Sequence, residues 1–400
     1  MLVGANGSGK TTLLDIPVLL GDFLRERSLA TAVLERRDGR APRASSLKEL
    51  FFQGQSDWFI LAVEAELPQS IASQIAGDQG FSHLRYELRV QLFNDELQVD
   101  AEYLFAYGPA RIPPRDEASG RRMYGEDAPP RKWRWRGWRF ILKRASGSEA
   151  RYLSEKSVSP KVRKAPVPPQ QLALRVIQFG AVGEFTAARW FLDQIEKETV
   201  FLDPDWDRLR TASPPGLSKE HILPNAHNAP WLALALKKTD PDLFDRWKIH
   251  VRGALPQVTD IDVIERSDDH HAYFKVCYNE KYYVTSSGLS DGTLHIFVLT
   301  LLAYLPRTPR YLVAEQPEDG IHPRAIEAVM QGLESLVDGQ TIVSSHSPVV
   351  VARTKPEALL VAQIADSGAV RVVSGRVHPR LLAWKGEIPL ASLFATGILE

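Results

Sequence analysis

The sequence predicts an α/β fold that combines a glycine-rich loop, a core sheet with parallel strands and an antiparallel β region. Three observations support this prediction. The glycine-rich loop, residues 4–12, is followed by an apolar stretch suited to a helix. Two short apolar segments, 310–315 and 340–346, end in polar residues, as buried parallel strands do at their carboxyl ends. Segments between residues 58 and 105 alternate apolar and polar residues in the manner of antiparallel strands.

Length and composition exclude several classes of protein. The chain has 400 residues, enough for two or three structural units or for one domain with a large insertion. Basic and acidic residues both number 49, so the net charge is zero and a surface coated with nucleic-acid-binding charge is not expected. Cys277 is the only cysteine, which fits a reducing cytoplasm and excludes a disulfide framework. The sequence has no apolar run of about 18 residues and no signal-peptide layout, so we expect a cytoplasmic protein that does not cross a membrane.

The loop 4–12, GANGSGKTT, fits the phosphate-binding pattern G-x-x-x-x-G-K-S/T without a mismatch. Its glycines let successive backbone N–H groups point at phosphate oxygens, Lys10 can reach the β- and γ-phosphates, and the Thr11 hydroxyl can ligate Mg²⁺. The alternative, a glycine-rich turn that matches by chance, is disfavoured by a second phosphate motif later in the chain. The residues expected to bind the nucleotide here are Gly4, Asn6, Gly7, Ser8, Gly9, Lys10, Thr11 and Thr12.

The segment before this loop is unusually short. Only Met1, Leu2 and Val3 precede Gly4, whereas such a loop normally follows a buried strand of about five or six residues. Either the true start lies further upstream, or the core sheet lacks an edge that related proteins have.

After the loop, residues 11–35 are expected to be helical. Strands are expected at 58–67, 84–93 and 97–105, with a turn at 94–95, and an antiparallel sheet is the simplest arrangement for them. The apolar residues of the second strand that fall on one face are Leu84, Tyr86, Leu88, Val90 and Leu92. Further along, helix is expected over much of 172–197 and at 231–236 and 243–251, and strands at 261–265, 271–278 and 282–284.

The segment 131–144, RKWRWRGWRFILKR, alternates aromatic and basic residues. It follows a stretch rich in proline, arginine, aspartate and glycine, 108–130, which we expect to be an exposed loop or disordered. One interpretation is a surface that stacks on nucleic-acid bases and contacts phosphates. The other is an amphipathic edge strand whose tryptophans pack inward while its arginines face water. The residues that alternate are Trp133, Arg134, Trp135, Arg136, Arg139 and Phe140.

Three segments near the end of the chain complete a nucleotide site. Ser290 and Gly292 precede an apolar helix, and Ser290 is a suitable N-cap residue. The strand-like segment 310–315 ends in Glu315 and Gln316, where a carboxylate that organises magnesium belongs. A second such segment leads to His346. Because ligands in open parallel sheets bind at the carboxyl edge, Lys10, Glu315 and His346 are expected to surround one triphosphate.

This set of motifs resembles the ABC-type ATPase head of the RecF, SMC and Rad50 group. It is most similar to the AAA-type ATPases related to overcoming-lysogenization-defect nucleases and to prokaryotic defence ATPases. The resemblance implies that 4–11 is the Walker A loop, 289–293 the signature motif, 311–316 Walker B and His346 the switch histidine. The implied fold is a P-loop NTPase head with an antiparallel β subdomain and an inserted, partly helical subdomain. Its expected divisions are an ATPase lobe at 1–105, a loop-rich insertion at 106–170, a helical subdomain at 171–260 and a second ATPase lobe at 261–400.

The sequence departs from the family pattern at one catalytic position. Family members usually carry two acids before the Walker B proline, whereas this chain has Glu315 and Gln316. An amide cannot accept a proton, and the loss of a general base commonly costs about 10²–10⁴ in rate. Glu318 could substitute, or Gln316 could position the water as a glutamine does in some GTPases. No clear Q-loop is present, although Gln53 and Gln55 lie in a suitable region.

The resemblance therefore predicts an ATP- and Mg²⁺-dependent switch that forms a homodimer, with each nucleotide held between Walker A of one subunit and the signature of the other. A separate effector protein, plausibly in anti-phage defence, is expected because the acids after His346 are widely spaced and form no nuclease site. The alternatives are a DNA-binding repair ATPase and a degenerate protein that binds nucleotide without turnover. The sequence leaves open the signal, the effector, the rate of hydrolysis and whether Met1 is the true start.

Overall fold

The computed structural model describes residues 1–35, 40–77, 80–108, 138–180, 183–279, 282–336, 339–384 and 389–399. The chain divides into two compact units. The first unit comprises Met1–Leu14 and Thr199–Glu400, and the second comprises Asp15–Glu198.

The strands of the described residues are β1 (Leu2–Gly4), β2 (Trp58–Glu66), β3 (His83–Phe93), β4 (Glu96–Tyr107), β5 (Trp138–Arg144), β6 (Ala150–Leu153), β7 (Val162–Ala165), β8 (Thr199–Leu202), β9 (Val258–Glu265), β10 (Ala272–Tyr278), β11 (Tyr282–Thr285), β12 (Tyr311–Glu315), β13 (Gln340–Ser344), β14 (Leu360–Ile364) and β15 (Val370–Ser374). The α-helices are α1 (Lys10–Arg25), α2 (Leu29–Leu34), α3 (Gln69–Ala72), α4 (Thr186–Glu196), α5 (Trp206–Arg210), α6 (Ala229–Thr239), α7 (Pro241–Ala254), α8 (Asp291–Leu301), α9 (Pro323–Glu334), α10 (Pro348–Ala352), α11 (Pro379–Leu382) and α12 (Leu390–Ala395). Short 3₁₀ helices lie at Leu47–Leu50, Phe52–Gly54, Ala173–Phe179, Ser286–Gly288, Leu302–Tyr304 and Pro356–Ala358.

The first unit is built on a six-stranded sheet with the order β15-β14-β1-β13-β12-β8. Its strands are parallel except for β15, which pairs antiparallel with β14. The short strand β1 lies inside this sheet, between β13 and β14, and Leu2 and Val3 are fully buried. Leu2 of β1 therefore has strand partners on both sides, Ser344 of β13 and Leu360 of β14.

A three-stranded antiparallel sheet, β11-β10-β9, and the helices α6 to α9 complete the main core of the first unit. The strand predicted at 282–284 and the helices predicted at 231–236 and 243–251 are confirmed. The helix α7 begins after Asp240, whose side chain accepts a hydrogen bond from the Leu243 N–H at 2.9 Å, as an N-cap residue does. Trp247, Phe274 and Phe297 pack with their rings 5.4–6.2 Å apart at the centre of this core.

The second unit contains an antiparallel sheet with the order β2-β3-β4-β5-β6-β7. The predicted hairpin is confirmed: Asn94 and Asp95 have φ values of 51° and 61°, the conformation that a tight two-residue β-turn requires. The predicted apolar face of β3 is buried at Leu84, Tyr86 and Leu88, so the alternation of the sequence correctly assigned the core side of the sheet.

Two predicted helices are interrupted. The helix expected over 11–35 ends at Arg25, and α2 starts anew after Ser28, whose hydroxyl caps it by accepting from the Thr31 N–H at 3.3 Å. The segment 172–197 contains a 3₁₀ helix followed by α4 rather than one long helix. Buried glutamates explain the break, because Glu102 accepts from two N–H groups at the start of the 3₁₀ helix and Glu155 from two at the start of α4.

The compact units differ from the four divisions expected from the sequence. The limits at 105 and 170 both fall inside the second unit, because β4 continues to Tyr107 and pairs with β5 in the same sheet. The limit at 260 falls within β9 of the first unit.

Candidate functional site

The phosphate-binding loop connects β1 to α1 at the carboxyl edge of the parallel sheet. Gly7 and Gly9 have φ values of 78° and 71°, a conformation that glycine adopts without strain. The Lys10 ammonium donates hydrogen bonds to the carbonyl oxygens of Gly4 and Ala5, each at 2.8 Å. The loop therefore curls around the lysine as the sequence predicts.

This loop also fits an anionic ligand. Ser8 is 1 % exposed, and its hydroxyl oxygen has no hydrogen-bond partner among the residues that the structure describes. A side chain at position 4 would meet the Ala362 carbonyl oxygen at 2.4 Å, so the backbone can pass here only as glycine. A triphosphate would supply the acceptor that the Ser8 hydroxyl requires. Asn6 and Thr12, two other predicted contacts of the nucleotide, are exposed to solvent.

Thr11 and Glu315 lie together although they are 304 residues apart in sequence. The Thr11 hydroxyl donates to Glu315 Oε1 at 2.5 Å, from the first turn of α1 to the end of β12. A threonine hydroxyl and a carboxylate are both hard oxygen donors of the kind that Mg²⁺ prefers. The pair fits the predicted magnesium site.

Gln316 follows directly on β12 and turns the chain sharply. Its φ is 44°, in the left-handed region that costs a non-glycine residue about 1–2 kcal/mol, and its N–H donates to the Ser344 carbonyl at 2.8 Å. The Asp319 N–H then donates to the Gln316 carbonyl at 3.0 Å, which closes a turn with Glu318 at its corner.

His346 comes two residues after the end of β13, which lies between β1 and β12 in the sheet. Ser344 at that end pairs with Leu2 on one side and Glu315 on the other. The His346 N–H donates to Glu318 Oε1 at 3.3 Å. Lys10, Glu315 and His346 thus share one edge of three adjacent strands, as the sequence predicts.

The predicted signature segment begins α8. The Ser290 hydroxyl accepts from the Thr293 N–H at 3.3 Å, which confirms Ser290 as the N-cap residue. Gly292 packs against the backbone of Gly320, five residues beyond the end of β12. Because β12 ends at the carboxyl edge of the sheet, the signature segment lies at the same edge as the phosphate-binding loop.

Two residues of α5 hold the signature segment, and sequence reasoning missed both. Arg210 donates to the Leu289 carbonyl at 3.4 Å and forms an ion pair with Asp291. The ring of Trp206 lies edge-on to His295 of α8, with centroids 3.9 Å apart. Arg210 and Trp206 are separated by about 80 residues from the motif that they support, so no local sequence pattern could predict these contacts.

The aromatic and basic segment is described only from Trp138 onward, and Trp133, Arg134, Trp135 and Arg136 lie outside the described residues. In β5 the guanidinium of Arg139 donates to the carbonyls of Ala76, Ser154 and Ser157, and burial lowers its pKa. Arg144 donates to three carbonyls between Val167 and Gln171. Both arginines bind protein backbone, so in this part of the segment they form neither a DNA surface nor the water-facing side of an amphipathic edge strand. The edge-strand interpretation is wrong here, because β5 lies between β4 and β6 in the sheet.

Two further sequence predictions concern other parts of the chain. Gln53 and Gln55 lie in the second unit at a short 3₁₀ helix, and their assignment to a Q-loop stays a prediction. None of the helices in the described ranges is both long enough and apolar enough to cross a membrane.

The parallel sheet, the loop that opens it and the acidic end of β12 define a P-loop nucleotide-binding fold. The chain belongs to the family described as "AAA domain, putative AbiEii toxin, Type IV TA system", whose model matches residues 1–352. No curated protein matches the chain.

One solved structure shows the same fold. It is an Smc head bound to the C-winged helix domain of ScpA, which is 14 % identical with a TM-score of 0.52 and covers 93 % of this chain and 88 % of its own. Another is an Smc head domain with an extended coiled coil, bound to the C-terminal domain of ScpA and derived from Pyrococcus furiosus. It is 14 % identical with a TM-score of 0.49 and covers 96 % of this chain and 92 % of its own.

Proposed function

We propose that this protein is a cytoplasmic switch ATPase that binds ATP and Mg²⁺, forms a homodimer around the nucleotides and controls a separate effector protein. The observation that carries the proposal is the contact between Thr11 and Glu315, since it joins the two halves of a magnesium site from opposite ends of the chain. In its finer form, the proposal is that the protein is an ATPase of the RecF type or of the overcoming-lysogenization-defect type.

In this proposal the phosphate-binding loop holds the triphosphate. Its N–H groups and the Lys10 ammonium would bind the β- and γ-phosphate oxygens, while Thr11 and Glu315 would hold Mg²⁺, which supplies positive charge to the triphosphate. Gln316 orients the attacking water through its amide, and His346 contacts the γ-phosphate from the end of β13.

The signature segment supports the homodimer. Ser290 is exposed at the start of α8 on the same edge of the sheet as the phosphate-binding loop. Its hydroxyl, the N–H groups of the first helical turn and Gly292 form an anion-binding end for the γ-phosphate held by a second copy. Two copies related by a two-fold axis would then enclose two nucleotides.

Similar proteins support the proposal that this protein acts with a partner protein. The similar Smc heads were solved with domains of ScpA, and the family description refers to a toxin system. We infer that the ATP-held dimer recruits or restrains a separate effector, and that anti-phage defence is the setting.

The test is light scattering and phosphate release with and without Mg²⁺-ATP. The wild type should change from monomer to dimer, Lys10→Ala should lose nucleotide affinity, and Ser290→Arg should bind nucleotide without dimerising. Lys161→Ala, which removes an exposed lysine of the second unit, is the matched control and should behave as wild type. A wild type that stays monomeric with Mg²⁺-ATP contradicts the switch, and a dimer that never releases phosphate identifies a nucleotide-binding protein without turnover.

A further inference from the structure

Glu318 has a carboxylate with one oxygen bound and one free. Its Oε1 accepts hydrogen bonds from the Ser345 hydroxyl and, at 3.3 Å, from the His346 N–H. Its Oε2 is inaccessible to solvent and has no hydrogen-bond partner within the described ranges. An unpaired carboxylate oxygen shielded from solvent costs free energy, so this atom lacks the hydrogen-bond donor that a buried carboxylate normally has.

The position of this carboxylate follows from the turn after β12. Gln316 reverses the chain, and the turn that Asp319 closes directs Glu318 towards the end of the neighbouring strand β13. Ser345, which donates to Glu318, also donates its N–H to the Leu2 carbonyl at 3.3 Å in the strand that leads into the phosphate-binding loop. Glu318 therefore lies beside His346, at the edge where the γ-phosphate of a bound nucleotide would end.

We propose that Glu318 accepts the proton of the attacking water during ATP hydrolysis, in place of the acid that Gln316 lacks. This inference rests on the proposed function. As the water oxygen forms a bond to the γ-phosphorus, one water O–H bond breaks and its proton passes to Glu318 Oε2. The bond between the γ-phosphorus and the bridging oxygen breaks, and its electron pair leaves with ADP. The proton then passes to phosphate or solvent, which restores the carboxylate.

The division of roles between Gln316 and Glu318 follows from their chemistry. The Gln316 amide can donate to and accept from a water molecule, but it cannot take up a proton. Glu318 can do so while Ser345 and His346 fix its other oxygen, which keeps the free oxygen in one orientation.

The experiment compares Glu318→Gln with the wild type. The glutamine keeps an oxygen for Ser345 and His346 but cannot act as a base. Phosphate release should fall about 10²–10⁴-fold, while the affinity for a fluorescent ATP analogue stays within about twofold and the Mg²⁺-ATP dimer dissociates correspondingly more slowly. Adding Gln316→Glu to Glu318→Gln should restore turnover, because it returns an acid to the turn. Glu357→Gln, an exposed acid on the short helix Pro356–Ala358, is the control and should leave all three readouts unchanged.

Several results would overturn the proposal. Undiminished turnover in Glu318→Gln shows that this carboxylate is not the base. Loss of nucleotide affinity together with turnover, with no rescue by Gln316→Glu, shows that Glu318 only supports the fold of the loop. A wild type that binds nucleotide without any turnover also contradicts it. In that case the wild type itself releases no phosphate, so the result contradicts the proposed ATPase activity and not only the role of Glu318.

Discussion

Gly292 of the signature segment lies directly against the carbonyl oxygen of Gly320. A Cβ atom at position 292 would be 2.3 Å from that oxygen, far closer than atoms can approach. The start of α8 and the segment after β12 are therefore interlocked through backbone atoms alone.

Gly292→Ala should disturb this contact and prevent Mg²⁺-ATP from dimerising the protein. The new methyl group forces the two backbones apart, which typically costs about 1–3 kcal/mol. The measurements are the midpoint of chemical denaturation and light scattering with Mg²⁺-ATP. The matched control is Gly253→Ala at an exposed position in α7, where a Cβ meets no heavy atom within 4 Å in the described part of the chain. That substitution should raise stability by about 0.5–1 kcal/mol. Equal effects of the two substitutions would contradict the interlock.

His295 should make the stability of the first unit depend on pH. Burial lowers the pKa of His295 to about 4, despite the Asp319 carbonyl and the charges of Asp319 and Asp291, which favour the protonated ring. As the pH falls below the ordinary value of 6.5, the unfolded chain takes up a proton before the folded chain does. Stability that is fully present above pH 6.5 is therefore lost as the pH approaches 4, by roughly 3 kcal/mol.

In His295→Gln the stability lost between pH 7 and 4.5 should be smaller by about this amount, as measured by denaturant unfolding at each pH. The part due to His227, His250 and His378, whose pKa burial also lowers, should remain. If the curves of His295→Gln and the wild type fall in parallel, the buried neutral imidazole is not the cause.

Glu102 should be essential to the second unit. It is fully buried, and burial raises its pKa, although the Tyr86 hydroxyl and the N–H groups of Ala173 and Leu174 all donate to its carboxylate. Glu102→Ala leaves these donors unpaired and should lower the free energy of unfolding by about 3–5 kcal/mol. Glu96→Ala, at the exposed start of the same strand, should change it by about 0.5 kcal/mol or less. Similar midpoints for the two variants in urea unfolding would contradict this role.

Local patterns predicted much of the fold. The β3–β4 hairpin followed from alternation and from Asn94–Asp95, and the N-cap residue Ser290 followed from its position before an apolar helix. Each of these signals depends on residues within a few positions of one another, where backbone preference and side-chain chemistry act directly.

The break between α1 and α2 was missed although Ser28 caps α2 locally. The break before α4 was missed for another reason, because it depends on Glu102 and Glu155, which bind N–H groups 32–72 residues away. The embedded position of β1 was missed for the same reason, because partners on both sides, and not its own length, make it a core strand.

By itself, the sequence determined the phosphate-binding loop and the order of the motifs, because a glycine-rich turn, a lysine and a threonine at fixed spacing encode a phosphate cradle locally. Only the tertiary structure decided that Thr11 meets Glu315, that Arg210 holds the signature segment and that Glu318 bonds to Ser345 and His346 with one oxygen left free. These contacts join residues 27 to 304 positions apart. They exist because parallel strands bring their carboxyl ends to one edge, and strand order is set by the packing of the whole sheet.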